Sequence, residues 1–104
     1  MRYTYYDLGR QRAGTKVTAQ LRGSVCNLLL VDEENFGRYR AGEPFLYEGG
    51  LRQSTPVSLK VPEDGHWYAV IDLGGFKGRV RATIELETPD GSEPETPPKR
   101  LVLN

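Results

Sequence analysis

Three sets of residues in this chain have types and spacing that could do chemistry. The first is a thiol and an imidazole: Cys26 is the one cysteine and His66 the one histidine. A nucleophilic site needs a nucleophile, a base and a group that orients the base. Cys26 lies in the run Val25-Cys26-Asn27-Leu28-Leu29-Leu30-Val31, where a small buried thiol is the ordinary reading. His66 and Asp72 share a strand face but stand six residues apart, about 20 Å along a strand, so they do not form a dyad. His66 reads instead as a strand-end residue beside Trp67.

The second set is acidic. Asp32-Glu33-Glu34 is a charge run without the alternating ligands of a calcium loop. One His and one Cys do not build a zinc site. Asp72-Leu73-Gly74-Gly75-Phe76-Lys77-Gly78 contains glycines, but it joins two strands, whereas phosphate-cradling glycine loops open onto a helix. No catalytic residue, metal site or cofactor is expected.

The third set is aromatic and basic. Phe36, Tyr39 and Tyr47 lie near Gly49-Gly50, a combination that can wall a pocket. Phe36 suits a core cap; Tyr39 and Tyr47 carry hydroxyls that suit a rim. Arg38 and Arg40 flank Tyr39, and Arg52, Lys77, Arg79 and Arg81 follow. If the 33–42 segment lies near the Gly74–Gly78 turn, arginines and aromatics interleave on one face, as phosphate or single-stranded nucleic acid requires. The candidate ligand-binding residues are therefore Tyr39, Tyr47, Arg38, Arg40, Arg52, Lys77, Arg79 and Arg81.

The elements that must position these residues are strands. Tyr3–Leu8 is rich in aromatics. Thr15–Arg22 alternates, with Val17, Ala19 and Leu21 on one face and polar residues on the other. Val25–Asp32 is apolar on both faces, as a central or doubly covered strand should be. Phe36 and Tyr39, three apart, suggest one helical turn near 33–40. Phe45–Tyr47 reads as a short strand. Val57, Leu59 and Val61 alternate between Pro56 and Pro62, which suits an edge strand, and Asp64-Gly65 signals a hairpin after it. His66–Leu73 runs into Gly74-Gly75 and a second strand over 78–87, predicting another hairpin. Trp67, Ala69, Ile71 and Leu73 point inward from the first; Val80, Ala82, Ile84 and Leu86 from the second.

About seven short strands in one domain, residues 1–88, predict an all-β fold: a β-sandwich with Greek-key or jelly-roll connections, or a partly closed barrel. Residues 89–104 read as a Pro/Glu-rich flexible tail whose composition does not offset its ordering entropy. Leu101-Val102-Leu103 at its end docks on the domain or on a partner.

Composition narrows the function. The chain has 104 residues, with 14 Lys/Arg against 14 Asp/Glu. Residues 1–84 carry twelve basic and nine acidic side chains, a balance of +3, and residues 85–104 carry two and five, a balance of −3. This is far from the basic footprint of a dedicated nucleic-acid binder. The acidic tail suits a partner-binding arm or a mask over the basic residues. A lone cysteine in so small a domain points to a reducing cytoplasm. No apolar run is long enough to span a bilayer, and the start lacks an apolar signal region.

Tyr6-Asp7-Leu8-Gly9, Asn35-Phe36 with Tyr39 and Gly42, Tyr47 with Gly49-Gly50, and the block from Gly65-His66-Trp67 to Asp72-Leu73-Gly74-Gly75 resemble the DUF1883 family, a bacterial domain of unknown function. The resemblance runs from near Tyr5 to about Leu86. It implies a small all-β domain, found alone or joined to TIR domains of NAD-linked immune signalling, and hence a sensing or interaction role. It brings no catalytic residues and does not account for the tail. The expected function is a non-enzymatic module, monomeric or weakly dimeric, that binds a small ligand or a protein partner. A nucleotide- or nucleic-acid-binding module is the alternative.

Overall fold

The strands sort into two groups by how many of their faces are apolar, and the fold follows that division. The structure, a computed structural model, describes residues 3–52, 55–74, 78–89 and 99–103. Its elements are β1 (Tyr3–Gln11), β2 (Lys16–Gly23), β3 (Cys26–Asp32), α1 (Glu33–Ala41), β4 (Glu48–Arg52), β5 (Val57–Lys60), β6 (Gly65–Asp72), β7 (Val80–Glu87) and β8 (Lys99–Leu103). One sheet has the order β4–β3–β6–β1–β8 and the other β5–β2–β7. Every pairing is antiparallel. No ladder joins the two sheets among the described residues, so the molecule is an open sandwich and not a barrel.

Strands apolar on one face form the smaller sheet. β2, β5 and β7 turn Val17, Ala19, Val57, Leu59, Ile84 and Leu86 toward the interior. Their opposite faces carry residues such as Lys16, Ser58, Arg81 and Glu85, which water solvates. β5 takes the edge, as its flanking prolines predict.

Strands apolar on both faces form the middle of the larger sheet. Tyr6, Leu8, Leu28, Leu30, Trp67, Ala69 and Ile71 fill the space between the sheets. Tyr5, Leu29, Val31 and Val70 point the other way and are buried there with Phe36 and Tyr39 of α1. The protein is therefore three layers deep on this side: small sheet, large sheet, helix.

Both predicted hairpins are corrected by this arrangement. β6 and β7 lie in different sheets, as do β5 and β6. β6 has two apolar faces and needs cover on each, so it sits between β3 and β1. β7 has one wet face and pairs with β2. Asp64, expected to make a tight hairpin turn, accepts instead from Ala13 N–H at 2.7 Å, tying two loops together at one end of the sandwich.

The single helical turn expected near 33–40 is a nine-residue helix. Asp32 is its N-cap: Oδ1 accepts from the backbone N–H of Asn35 at 2.8 Å and from its side chain at 2.9 Å. Glu33 and Glu34 favour the first turn and Arg38 and Arg40 the last. Gly42 closes it at φ 75°, a left-handed conformation that suits glycine. The charge run Asp32-Glu33-Glu34 is thus a helix start. Phe45–Tyr47, expected as a short strand, is irregular, and the strand begins at Glu48.

Most of the expected 89–104 tail lies outside the described residues. Within it, Lys99–Leu103 pair along β1, from Asp7↔Lys99 to Tyr3↔Leu103. Those five residues pair along an edge that β1 would otherwise leave open.

Candidate functional site

α1 rests on the outer face of the large sheet through Phe36 and Tyr39, each 5% exposed. Phe36 stacks on Tyr68, with ring centroids 4.3 Å apart, and tilts against Tyr5 at 4.7 Å. It lies between the helix and the outer face of the large sheet and is not an end plug of the sandwich. Arg40 extends over the Phe36 ring, its guanidinium carbon 5.5 Å from the centroid.

Tyr39 is expected at a rim and is instead in this buried layer. It packs edge-on against Tyr3 at 5.2 Å and Phe45 at 5.3 Å. Its hydroxyl donates to Oδ2 of Asp72. Burial, then the hydrogen bond and the charge of Asp72, push the Tyr39 hydroxyl well above the usual phenol range. Asp72 closes β6 and is itself 5% exposed; its Oδ1 accepts from Gly74 N–H at 2.6 Å.

From Gly42 the chain returns along the helix to β4. Leu46 N–H donates to Asn35 Oδ1 at 2.8 Å, pinning this linker to the first helical turn. Leu46 and Tyr47 remain 79% and 51% exposed. Two hollows open on either side of Tyr47. One, of about 300 Å³, is bounded by Asp32, Leu46, Tyr47, Glu48, Glu63 and Trp67 among others. The other, of about 360 Å³, is bounded by Asn27, Tyr39, Glu43, Phe45, Tyr47 and Asp72 among others. Among the described residues, neither has a lysine, arginine or histidine in its lining.

The close approach of β4 to β3 depends on Gly49. Its φ is 114°, and a Cβ built there would stand 2.0 Å from the Leu28 carbonyl oxygen. Gly49 thus serves a backbone contact of this edge strand, while a Cβ at Gly50 would meet open space.

The arginines do not assemble. Arg38 is exposed on α1 and pairs with Glu34 at 3.3 Å. Arg79 and Arg81 are exposed on the small sheet, on the far side of the large sheet from the helix. Arg81 faces Arg22 across the β2–β7 ladder. Arg52 ends β4 at the edge of the large sheet. Lys77 lies outside the described residues. Among the described residues, Arg38 and Arg40 of α1 and Arg81 of β7 lie on opposite sides of the large sheet.

Cys26 is 1% exposed in the core between the sheets, where burial pushes its thiol up. His66 meets Asp7 across the β1–β6 ladder, Nε2 to Oδ1 at 2.5 Å, and stacks on Tyr68 at 5.0 Å. This partly exposed contact is far from Cys26 in character: it staples a register shift between Asp7 and Gly9, whose N–H also reaches Asp7 Oδ1, at 2.9 Å. Among the described residues no cluster of His, Cys, Asp and Glu could hold a metal ion. No helix among them is long and apolar enough to cross a membrane.

Sequence reasoning missed Asp72 and Asn27 as site residues. The available signal was an aspartate and an asparagine at the ends of apolar strands, where a polar side chain meets the end of a packed layer.

No curated protein and no solved structure matches this sequence. A family model does, over residues 1–90, and its description is a domain of unknown function. That match takes in β1 to β7 with α1 and the linker that carries Tyr47, so the chain belongs to the DUF1883 family.

Proposed function

We propose that this domain is a non-enzymatic binding module that takes a small ligand in the hollows beside Tyr47. The observation that carries this reading is the placement of Tyr47. A half-exposed aromatic ring walls two hollows at once, and each hollow combines apolar lining with a few converging polar groups, the usual make-up of a ligand site. Their volumes suit a metabolite-sized molecule. The lone thiol is sequestered in the core, which favours binding over nucleophilic chemistry and fits a cytoplasmic setting. The nucleotide or nucleic-acid alternative has less support, because its arginines stand on opposite sides of the large sheet.

The test is a backbone-resolved NMR titration with amines, simple sugars, NAD-type and cyclic nucleotides, and a short single-stranded oligonucleotide. Saturable shifts confined to Asn27 and to the 42–48 segment support the reading. Shifts at Arg79 and Arg81 that vanish with added salt would favour the nucleic-acid alternative. A well-dispersed spectrum that no probe perturbs would overturn the small-ligand reading.

A further inference from the structure

We infer that the hollow between Tyr39, Tyr47 and Asp72 takes an organic cation, a small ammonium headgroup carrying alkyl substituents. The inference rests on the proposed binding site and names its ligand class. Three observations converge on it.

The first is an aromatic wall. Tyr39 and Phe45 meet edge to face at 5.3 Å and 76°, and Phe45 and Tyr47 follow at 5.3 Å and 40°. The three rings border the hollow in succession, the first pair edge to face and the second tilted. Ring faces attract cations through their quadrupoles, most strongly where water is excluded.

The second is the state of Asp72. It is 5% exposed yet borders the hollow. Its two oxygens are met by the Tyr39 hydroxyl and by Gly74 N–H, both uncharged donors. Among the described residues no lysine, arginine or histidine pairs with it. A buried carboxylate is normally compensated by a cation. Here the side open to a cation is the hollow itself, where Glu43 adds a second, exposed carboxylate.

The third is size and charge together. About 360 Å³ lies at the lower end of ligand pockets, enough for a quaternary headgroup and a short chain and small for a dinucleotide. Among the described residues the lining carries two carboxylates and no base, which disfavours phosphate or carboxylate ligands.

The test uses three molecules of nearly one shape: choline, its uncharged isostere neohexanol, and the anionic tert-butylacetate. Each is titrated into the full chain while the amides of Asn27, Gly42 and Tyr47 are followed. Choline is expected to move them saturably and to bind about tenfold more tightly than neohexanol, with tert-butylacetate weakest. Asp72→Asn keeps the shape and should erase most of that preference. Tyr47→Leu acts at an exposed position that does not threaten folding, and should weaken choline about fivefold while changing neohexanol little. Equal or tighter binding of neohexanol or tert-butylacetate at the same amides would overturn the cation assignment and leave the binding site standing. Failure of all three to move those amides would overturn the cation assignment, and the binding site itself falls only if the wider panel of sugars and nucleotides also leaves them unmoved.

Discussion

Tyr39→Phe isolates one buried polar contact under the helix. The substitution keeps the ring and so its packing on Tyr3 and Phe45, at 5.2 and 5.3 Å. It removes the hydroxyl that donates to Asp72. Asp72, at 5% exposure, is left with Gly74 N–H as its remaining described donor. A hydrogen bond to a carboxylate contributes about 1.5–3 kcal/mol, and an orphaned buried acceptor costs a similar amount. The expected loss at neutral pH is about 2 kcal/mol. With a urea slope of about 1.5 kcal/mol per molar for a domain of this size, the midpoint falls by roughly 1.3 M. Trp67, the one tryptophan and 6% exposed in the core, reports the transition by fluorescence.

The same variant makes a second, independent statement at alkaline pH. The Tyr39 hydroxyl is raised from an ordinary value of 10.0 by burial and by Asp72. Above that value the unfolded chain releases the proton and the folded chain keeps it. The stabilisation is thus complete below pH 10 and is lost as pH rises further, by about 1.4 kcal/mol per unit. Phenylalanine has no proton to release, so the gap between the two proteins narrows above pH 10. Tyr68 is raised too, chiefly by burial, and its contribution is common to both. A midpoint shift under about 0.3 M, or a gap that is constant from neutral pH to pH 11, would refute the assigned contact.

Three further outcomes follow from packing and caps. Phe36→Ala removes the ring at the centre of the helix–sheet layer and should cost about 3–4 kcal/mol, read as a melting point lowered by more than about 10 °C; a smaller change would mean the helix does not depend on this contact. Gly49→Ala drives a Cβ into the Leu28 carbonyl, whereas Gly50→Ala meets open space at a similarly positive φ of 138°, so the first should lose clearly more stability than the second in paired denaturant titrations, and equal losses would contradict the β3–β4 approach. Asp32→Ala should cost about 1 kcal/mol through loss of the helix N-cap, and Asp32→Asn should recover most of it, with amide exchange of the 33–36 segment as the local readout.

What the sequence carried and what it hid divide along one physical line. The inward parity of β2, β5 and β7 was legible, because alternation survives wherever one face is wet. Val17, Ala19, Val57, Leu59, Ile84 and Leu86 all point where their pattern predicts. The doubly apolar run Leu28–Val31 predicted a covered central strand, and α1 supplies the cover. The helix was underestimated because its apolar side is only Phe36 and Tyr39; its caps, Asp32 and Gly42, held the missing information. The hairpins misled because Gly-Gly and Asp-Gly mark turns of any kind, and a turn does not say whether the next strand stays in its sheet. The site was the least legible part. Asn27, Tyr39, Tyr47 and Asp72 come from four separate stretches of chain; the pairing of β3 with β6 sets Asn27 opposite Asp72, and the helix packing brings the Tyr39 hydroxyl onto Asp72, neither of which a single stretch reveals.

The distribution of apolar faces contains more than the hairpin signals did. β1, β3 and β6 each place aromatic or branched side chains on both sides, as in Tyr5 and Tyr6, Leu28 and Leu29, and Ala69 and Val70. β2, β5 and β7 do so on one side only. A sheet covered on both faces and a sheet wetted on one require these two compositions respectively, so the six strands sort into their sheets before any pairing is known. The sorting also locates the site. A doubly covered sheet in a chain of this length needs a third layer, and among the described residues the insertion between β3 and β4 supplies it. Where a nine-residue helix and its return linker cover five strands, the cover is incomplete at its ends. The hollow bounded by Tyr39, Phe45, Tyr47 and Asp72 lies at one of those ends, where strand ends of the large sheet meet an aromatic residue that anchors the cover. A ligand there contacts the helix, the linker and the strand ends at once, and binding is therefore expected to raise the stability of this outer layer more than that of the sandwich core. Amide exchange measured with and without choline distinguishes the two: protection confined to the 33–48 segment agrees with this reasoning, and protection spread equally into β2 and β7 contradicts it.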